Sequence, residues 1–371
     1  MNLARSLLIT LIGGAAPLSA QMTAGYDARV FAGYFGQNTS AGQRGATATT
    51  WLMAHAQRAA LRADLMLSAD PLITGECGQP RLLPDSFHCG DAESLSHPLL
   101  MNAGVTARFG AFSVSASAVG EPAYGPHPHF MRASAQHDPG EPLTHHFFNP
   151  AHSAHGVVTI GATRGVLTAE ASAFNGRHHT DRYRIDFAPL DAAAARFTLS
   201  ASGKLSVQLS AAYFPAYESG EHAHGGVMAA YSATASGVAG NLAYTLGCAA
   251  HHTLHLTPKA CLAEATMTRG VHILFARAEA IDRLEQTVVA VVEPDGSHSH
   301  ISDNQMLKTG ELAVGYGVRL PAQLGWHPSI GVRGALTTIP SYFRLRYREE
   351  RAYSFTIFTS LRPARATSQH H

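Results

Sequence analysis

Histidine is the residue type with the clearest chemical potential in this chain, because 23 of the 371 residues are histidine. Three His-x-His pairs occur, at 127/129, 222/224 and 298/300. In an extended segment this spacing puts two imidazoles on one side, which suits Cu(II), Zn(II) or Ni(II). The candidate metal ligands are His127, His129, His145 and His146. Two other interpretations stay open: exposed loops tolerate histidine, or His145 and His146 hold a loop by hydrogen bonds.

Other chemical signals are missing from the sequence. It contains no G-x-S-x-G, H-E-x-x-H, P-loop or G-x-G-x-x-G element, and no Cys/His set has zinc-finger spacing. The formal net charge of +1 gives no argument for nucleic acid. We therefore predict a protein that is not an enzyme, has no cofactor and binds no nucleic acid. Binding of copper or zinc stays open.

The four candidate ligands lie in one long segment, residues 120–152, which holds six prolines and shows no helical or alternating period. A loop of this length in a folded chain is usually functional or disordered. Here Tyr124, Phe130, Phe147 and Phe148 supply apolar anchors, so we expect the loop, 121–154, to fold against the rest of the protein.

Alternation of apolar and polar residues predicts β-strands over most of the remaining chain. In residues 204–213, for example, Leu205, Val207 and Leu209 alternate with Ser206 and Gln208, a period of two. The predicted strands are 27–37, 46–57, 61–70, 101–109, 111–120, 155–164, 166–175, 191–201, 203–213, 225–236, 239–250, 259–269, 270–281, 307–320, 324–337 and 352–361.

The connections between these strands decide the fold class. Turns of zero to three residues alternate with long connections such as 71–100, 121–154 and 282–306. Short periplasmic turns alternating with long outer loops are typical of outer-membrane barrels, and strands of about ten residues match a tilted span of the bilayer. We predict an all-β fold, an antiparallel transmembrane outer-membrane β-barrel of about 16 strands. Because strand edges are hard to place, 12 or 14 strands stay open.

The chain ends and the aromatic residues agree with this fold. Residues 1–20 combine Arg5, an apolar run and small residues up to Ala20, the layout of a cleaved secretory signal peptide. A single barrel domain over 21–361 and a polar tail over 362–371 follow. Trp326 and the outward side chains of the last strand, Tyr353 and Phe355, suit the membrane interfaces.

The parity of the strands also predicts which charged residues face the lumen. Opposite charges there either create a transverse field in an aqueous pore or pair with each other, and the sequence leaves both open. With Arg132 and its neighbours Asp138 and Glu141 added from the long loop, we expect loop charges to pair with luminal ones. The candidate lumen and constriction residues are Arg62, Asp64, Arg132, Glu170, Arg196, Arg277, Glu279, Glu311, Arg319 and Arg333.

Four cysteines in an exported chain indicate two disulfides. We predict the pairs Cys77 with Cys89 and Cys248 with Cys261, because each pair brackets one loop. Three connectivities are formally possible.

Several motifs in and after the long loop resemble those of a known family. They are Gly120-Glu121-Pro122-Ala123, Phe130-Met131-Arg132, Thr144-His145-His146, Gly156-Val157-Val158-Thr159, Phe174-Asn175-Gly176-Arg177 and Arg182-Tyr183. The chain resembles a family of uncharacterised bacterial outer-membrane barrel proteins that are often encoded near heavy-metal resistance genes. The resemblance implies a porin-like barrel in the outer membrane.

The sequence thus favours an outer-membrane channel for passive passage of small hydrophilic solutes or ions. The alternative is a non-conducting surface barrel whose histidine-rich outer loops bind a transition metal or a partner. In both cases the lipid bilayer is the surrounding partner. The solute, the ion selectivity and the oligomeric state stay open.

Overall fold

A computed structural model describes residues 22–74, 79–82, 97–177, 183–201, 204–217, 226–253, 256–292 and 298–364, with only the backbone described in 216–217, 226, 283–292 and 298–305. The predicted signal peptide, Cys77, Cys89, His222, His224 and residues 365–371 of the predicted tail lie outside these ranges.

The described residues contain sixteen β-strands, and each overlaps a predicted one. They are β1 (Thr23–Gln37), β2 (Gly45–Arg58), β3 (Leu61–Leu67), β4 (Leu100–Phe109), β5 (Phe112–Gly120), β6 (Ala154–Arg164), β7 (Leu167–Phe174), β8 (Ala192–Ala201), β9 (Leu205–Tyr217), β10 (Gly226–Ala239), β11 (Leu242–His252), β12 (Lys259–Arg269), β13 (His272–Val292), β14 (His298–Arg319), β15 (Trp326–Thr338) and β16 (Arg351–Pro363).

Short helical segments interrupt the connections between strands. They are α1 (Asp70–Ile73), α2 (His145–Phe148), α3 (Arg344–Tyr347) and the 3₁₀ turns His129–Met131 and Ser341–Phe343. Among the described residues, no helix has the length and hydropathy needed to cross a membrane.

Every strand pairs antiparallel with its neighbours in sequence, and β1 pairs with β16, so the sheet closes into a barrel of sixteen strands. Closure runs from Val30 opposite Leu361 to Gln37 opposite Ser354. The prediction of a 16-stranded antiparallel barrel is confirmed. Because closure leaves no free sheet edge, the described strands satisfy one another's backbone hydrogen bonds, as a spanning sheet must.

Tight turns join the strands at one end of the barrel, the short-turn end. Gly110, Gly165, Gly240 and Gly270 each begin such a turn with φ of 60–62°. This left-handed conformation is what a two-residue hairpin needs and what glycine adopts without strain. The long connections all leave the opposite end.

The two faces of the sheet differ as predicted from parity. On β3, Leu61 and Leu65 point outward and are 56% and 43% exposed, whereas Met66 points inward and is 7% exposed. Phe109 and Phe112 flank a tight turn on the outside, and Tyr353, Phe355 and Ile357 line the outer face of β16. An apolar outer surface with a polar interior is the inverse of a soluble barrel and fits a bilayer.

One predicted connection was wrong in its extent. Residues 282–306 were expected to be an outer loop, but β13 runs to Val292 and β14 starts at His298, with pairing up to Val292 opposite His298. The segment 287–292, Thr-Val-Val-Ala-Val-Val, is rich in β-branched residues, which favour strands. The hairpin therefore extends beyond the level of the neighbouring strands.

The predicted disulfide between Cys248 and Cys261 is confirmed. The two residues are directly opposite each other on β11 and β12, with their Cα atoms 4.1 Å apart. The bond joins strands that already pair, on the outer face of the barrel near the long-loop end, so it does not cross the lumen.

Candidate functional site

The connection between β5 and β6, residues 121–153, lies inside the barrel, and we call it the inward loop. Of its residues only His127, Ala133 and His146 are exposed. Its side chains and backbone contact inward-facing residues of strands all around the wall, from β1 and β2 through β7 to β9 and on to β11, β12, β13 and β15. The loop is therefore packed like a protein core at this level of the lumen.

Aromatic stacking fixes the middle of the inward loop. The ring of Phe130 stacks on Trp51 of β2 with centroids 4.2 Å apart and planes 15° apart. Both side chains are buried, at 2% and 1% exposure, within a cluster that includes Phe31 of β1 and Phe275 of β13. The Arg29 guanidinium donates to the Phe130 carbonyl oxygen. Burial of this size makes aromatic anchors dominant contributors to docking.

A bidentate ion pair holds the next part of the loop. Arg132 Nε and Nη2 donate to the Glu264 carboxylate on β12 at 2.6 and 3.0 Å. Ser134 Oγ donates to the same carboxylate at 2.8 Å, and Thr266 Oγ1 donates to the Ser134 carbonyl at 2.7 Å. Glu264 is 3% exposed, so its charge depends on these partners rather than on water.

Asp138 links the loop to the neighbouring strands. Its carboxylate lies 3.2 Å from Arg277 Nη1 on β13 and 2.9 Å from Arg333 Nε on β15. Arg333 also pairs with Glu311 on β14. Arg277 Nη1 donates to the Gly140 carbonyl at 2.8 Å. One loop carboxylate thus forms ion pairs with two guanidinium groups of the wall that are 1% and 5% exposed.

The last part of the loop is held by a carboxylate of the wall. Glu279 accepts hydrogen bonds from Thr144 N and Oγ1 at 3.0 and 2.7 Å and from Leu143 N at 3.2 Å. Glu141, which we expected to pair with a luminal charge, pairs instead with Arg81 from the connection after β3.

Other predicted lumen residues lie apart from this network. Arg196 Nε pairs with Glu170 at 2.8 Å and Nη1 donates to the Gly125 carbonyl at 3.1 Å. Arg62 pairs with Asp64 at 2.7 Å, with side chains 21% and 30% exposed. On the β3 to β8 side of the lumen, Arg62, Asp64 and Glu170 therefore keep contact with solvent, whereas Arg196 is nearly buried against the inward loop. The loop covers the β12 to β15 side.

A group of arginines with little compensation lies toward the short-turn end; we call Arg29, Arg319 and Arg362 the arginine cluster. Arg29 pairs with Asp27 at 3.1 Å. Arg362 Nε and Nη2 are buried and have no hydrogen-bond partner among the described residues. Burial, together with Arg362, Arg319 and Arg29, lowers the pKa of His137 in the inward loop well below its usual value.

Three imidazoles meet at the long-loop end: one nitrogen from each of His97, His145 and His152 lies within 4.8 Å of the others. Burial and nearby histidines lower the pKa of His145 well below its usual value. Burial also opposes protonation of His97, but its hydrogen bond with Asp70 and the attraction of Glu141 raise its pKa overall.

The four histidines singled out from spacing have different surroundings. His145 belongs to the group of three, and the rings of His129 and His146 lie 5.5 and 5.0 Å from its ring. His127 is 51% exposed, and its Nδ1 lies 3.3 Å from Glu121. His97, which sequence spacing did not select, follows a serine and precedes a proline in the connection before β4.

Two luminal features were missed by the sequence analysis. Asp27 and Arg29 are two positions apart on β1, so they share one face, and both face inward. The parity of the strand could have indicated this. Asp70 is 0% exposed, and its carboxylate accepts a hydrogen bond from Thr50 N at 2.7 Å. Nothing in the sequence marks this residue except that it follows a predicted strand.

No protein-family model and no curated protein matches this chain. Solved structures do match. An anion-selective porin from Comamonas acidovorans aligns with a TM-score of 0.54 and 10% identity over 92% of this chain and 100% of that chain. The outer membrane channel DcaP of Acinetobacter baumannii aligns with a TM-score of 0.53 and 9% identity over 92% of this chain and 97% of that chain. OmpF of Salmonella typhi in complex with daunomycin aligns with a TM-score of 0.52 and 9% identity over 92% of this chain and 98% of that chain. At this identity the likeness is one of fold: the chain has the closed 16-stranded barrel of outer-membrane porins.

Proposed function

We propose that this protein is an outer-membrane channel of the porin type, which passes small hydrophilic solutes or ions and whose conductance is limited by the inward loop. The observation that carries the proposal is the ion pair network of Arg132, Asp138 and the wall residues Glu264, Arg277 and Arg333 inside a 16-stranded barrel. A barrel of this strand number leaves an aqueous lumen unless something occupies it.

Location in the outer membrane is part of the proposal. The apolar outer face, the segment 1–20 expected to be a signal peptide, and the porin fold support it. The mature chain is then expected in outer-membrane fractions and to migrate differently on gels before and after heating, because a closed sheet resists unfolding by detergent. Recovery as a periplasmic protein without such a shift would contradict it.

The path we propose runs along the β3 to β8 wall, past Arg62, Asp64 and Glu170, where side chains keep contact with solvent. Their mixed signs favour hydrophilic solutes in general. No catalytic step is part of this function. The association with heavy-metal resistance loci remains a prediction from the family resemblance.

The test is single-channel conductance of the purified, folded protein in a planar bilayer. We expect discrete steps that are small for a 16-stranded barrel, since the inward loop occupies much of the cross-section. A non-conducting surface barrel, the alternative, would give no steps either in the intact protein or after the loop contacts have been weakened. The absence of steps in both proteins would rule out the channel.

A further inference from the structure

His97, His145 and His152 come from two different connections and meet beside the barrel mouth. His97 precedes β4, whereas His145 and His152 belong to the inward loop. The ring centroids of His145 and His152 are 4.5 Å apart, and that of His97 lies 6.1 and 5.6 Å from them. His97 and His145 are 8% and 4% exposed and His152 is half-buried, so the group is not a chance meeting of surface side chains.

Hydrogen bonds already orient two of the three imidazoles. His97 Nδ1 lies 3.2 Å from Asp70 Oδ2, and His152 Nδ1 lies 3.0 Å from the Asn149 carbonyl oxygen. A carboxylate or carbonyl on one ring nitrogen is the usual support of a metal-binding histidine, since it directs the other nitrogen toward the ion. The same contacts would also orient the rings of a histidine group that binds no metal, so a metal site needs a further observation.

An unsatisfied atom favours a ligand. His145 Nε2 is buried and has no hydrogen-bond partner among the described residues, and Glu141 Oε1 lies 3.9 Å from it. A buried polar atom without a partner is costly. A cation bound through His145 Nε2 would supply the missing partner.

We propose that His97, His145 and His152 form a binding site for a borderline divalent transition-metal ion, Zn(II) or Cu(II). Zn–N bonds of about 2.0–2.1 Å in a tetrahedral site separate ligand nitrogens by about 3.4 Å. The three nitrogens, all within 4.8 Å of one another, reach that separation by small ring rotations. Three histidines leave a fourth position for water or for Glu141.

The site joins the inward loop to the segment before β4, so a bound ion fastens the end of the loop to the barrel mouth. Binding itself does not depend on the channel proposal. The effect on conductance does rest on it: a fastened loop moves less, and the ion is expected to reduce current.

Isothermal titration of Zn(II) into the folded protein in detergent tests the site, with Cu(II) electron paramagnetic resonance to count nitrogen ligands. We expect one tight Zn(II) per chain and a multi-nitrogen Cu(II) signal. His145→Ala/His152→Ala should weaken Zn(II) at least about tenfold, and Asp70→Asn should weaken it about 10- to 100-fold by releasing His97. His127→Ala, an exposed histidine of the same loop, is the matched control.

Heat-dependent gel migration of each variant establishes that the barrel is folded. Equal Zn(II) affinity in the intact protein, the double variant and the His127 control would overturn the site, as would the absence of tight binding to the intact protein. Because the titration measures no current, a protein that binds Zn(II) through these residues yet never conducts would retain the site and lose only the channel.

Discussion

Arg132 of the inward loop and Glu264 of β12 form a bidentate ion pair 132 positions apart in sequence, with the shorter contact at 2.6 Å. Both side chains are buried, at 7% and 1% exposure. Removing one member of a buried pair costs about 3–5 kcal/mol, because the other charge is left without compensation. Loss of either member should therefore destabilise the docked loop more than loss of an exposed ion pair would.

Weakening this docking should open the channel. In Arg132→Gln/Asp138→Asn, one positive and one negative loop charge are lost, Glu264 loses its bidentate partner, and Arg277 and Arg333 lose the Asp138 charge. We expect higher mean conductance and larger current fluctuations in planar bilayers.

The matched control is Arg344→Gln/Glu350→Gln, which removes an ion pair on an outer connection whose side chains are 48% and 73% exposed. Exposed pairs contribute about 0–1 kcal/mol, so this variant should behave as the intact protein. Identical currents in both double variants would show that the loop contacts do not control the pore.

Trp51 can report docking directly, because the chain has two tryptophans. In a Trp326→Phe background, Phe130→Ala removes the ring stacked on Trp51 and should cost about 3–5 kcal/mol of loop docking. We expect emission at longer wavelength and stronger acrylamide quenching. Phe355→Ala on the outer face of β16 is the control and should leave Trp51 shielded. Unchanged quenching in the Phe130 variant would argue against a loop docked through this stack.

Acid should loosen the loop through His137. The docked loop holds this imidazole neutral, facing Arg29, with its partner Asp27, and Arg319 and Arg362. A released loop returns His137 to a pKa of about 6.5, so the released form takes up the proton first. The docked form therefore loses stability as the pH falls below about 6.5.

The measurement is Trp51 quenching or conductance as a function of pH. Either should rise on acidification, less steeply in His137→Asn than in the intact protein, while the exposed His127→Asn keeps the full slope. A slope that is the same in all three proteins would exclude His137 as a source of the acid response.

The arginine cluster predicts a preference for anions. Arg319 and Arg362 have no ion-pair partner among the side chains that the structure describes, whereas Arg62, Arg196, Arg277 and Arg333, which also face the lumen, are paired. The reversal potential in a potassium chloride gradient should indicate chloride preference. Arg319→Gln/Arg362→Gln should shift it toward potassium. A shift of equal size in Arg344→Gln/Arg351→Gln, which removes two exposed positive charges outside the cluster, would assign the effect to overall charge.

The strands were predictable because a barrel wall with lipid on one side and polar groups on the other forces a period of two, as in Leu61, Leu65 and Met66 of β3. The alternation of tight turns and long connections then set the strand count. The extension of β13 and β14 beyond residue 282 was not predictable from this rule, since it depends on pairing between two segments outside the predicted strands.

Site contacts were less accessible to sequence reasoning. Parity placed Arg277 and Arg333 on the inner face, but which loop residue meets each depends on the path of a proline-rich segment with no period. Spacing selected His127 with His129, whereas the structure groups His145 with His97, some 48 positions earlier. Contacts between separate connections leave no local pattern.

The most direct measurement is the single-channel conductance of the protein lacking residues 126–143, compared with the intact chain. The deletion removes Phe130, Arg132 and Asp138 but keeps every strand, and heat-dependent migration confirms assembly. We predict conductance several times that of the intact protein, because the lumen loses the segment that fills it. Equal conductance in the two assembled barrels would contradict the account, since the loop would then not limit the path.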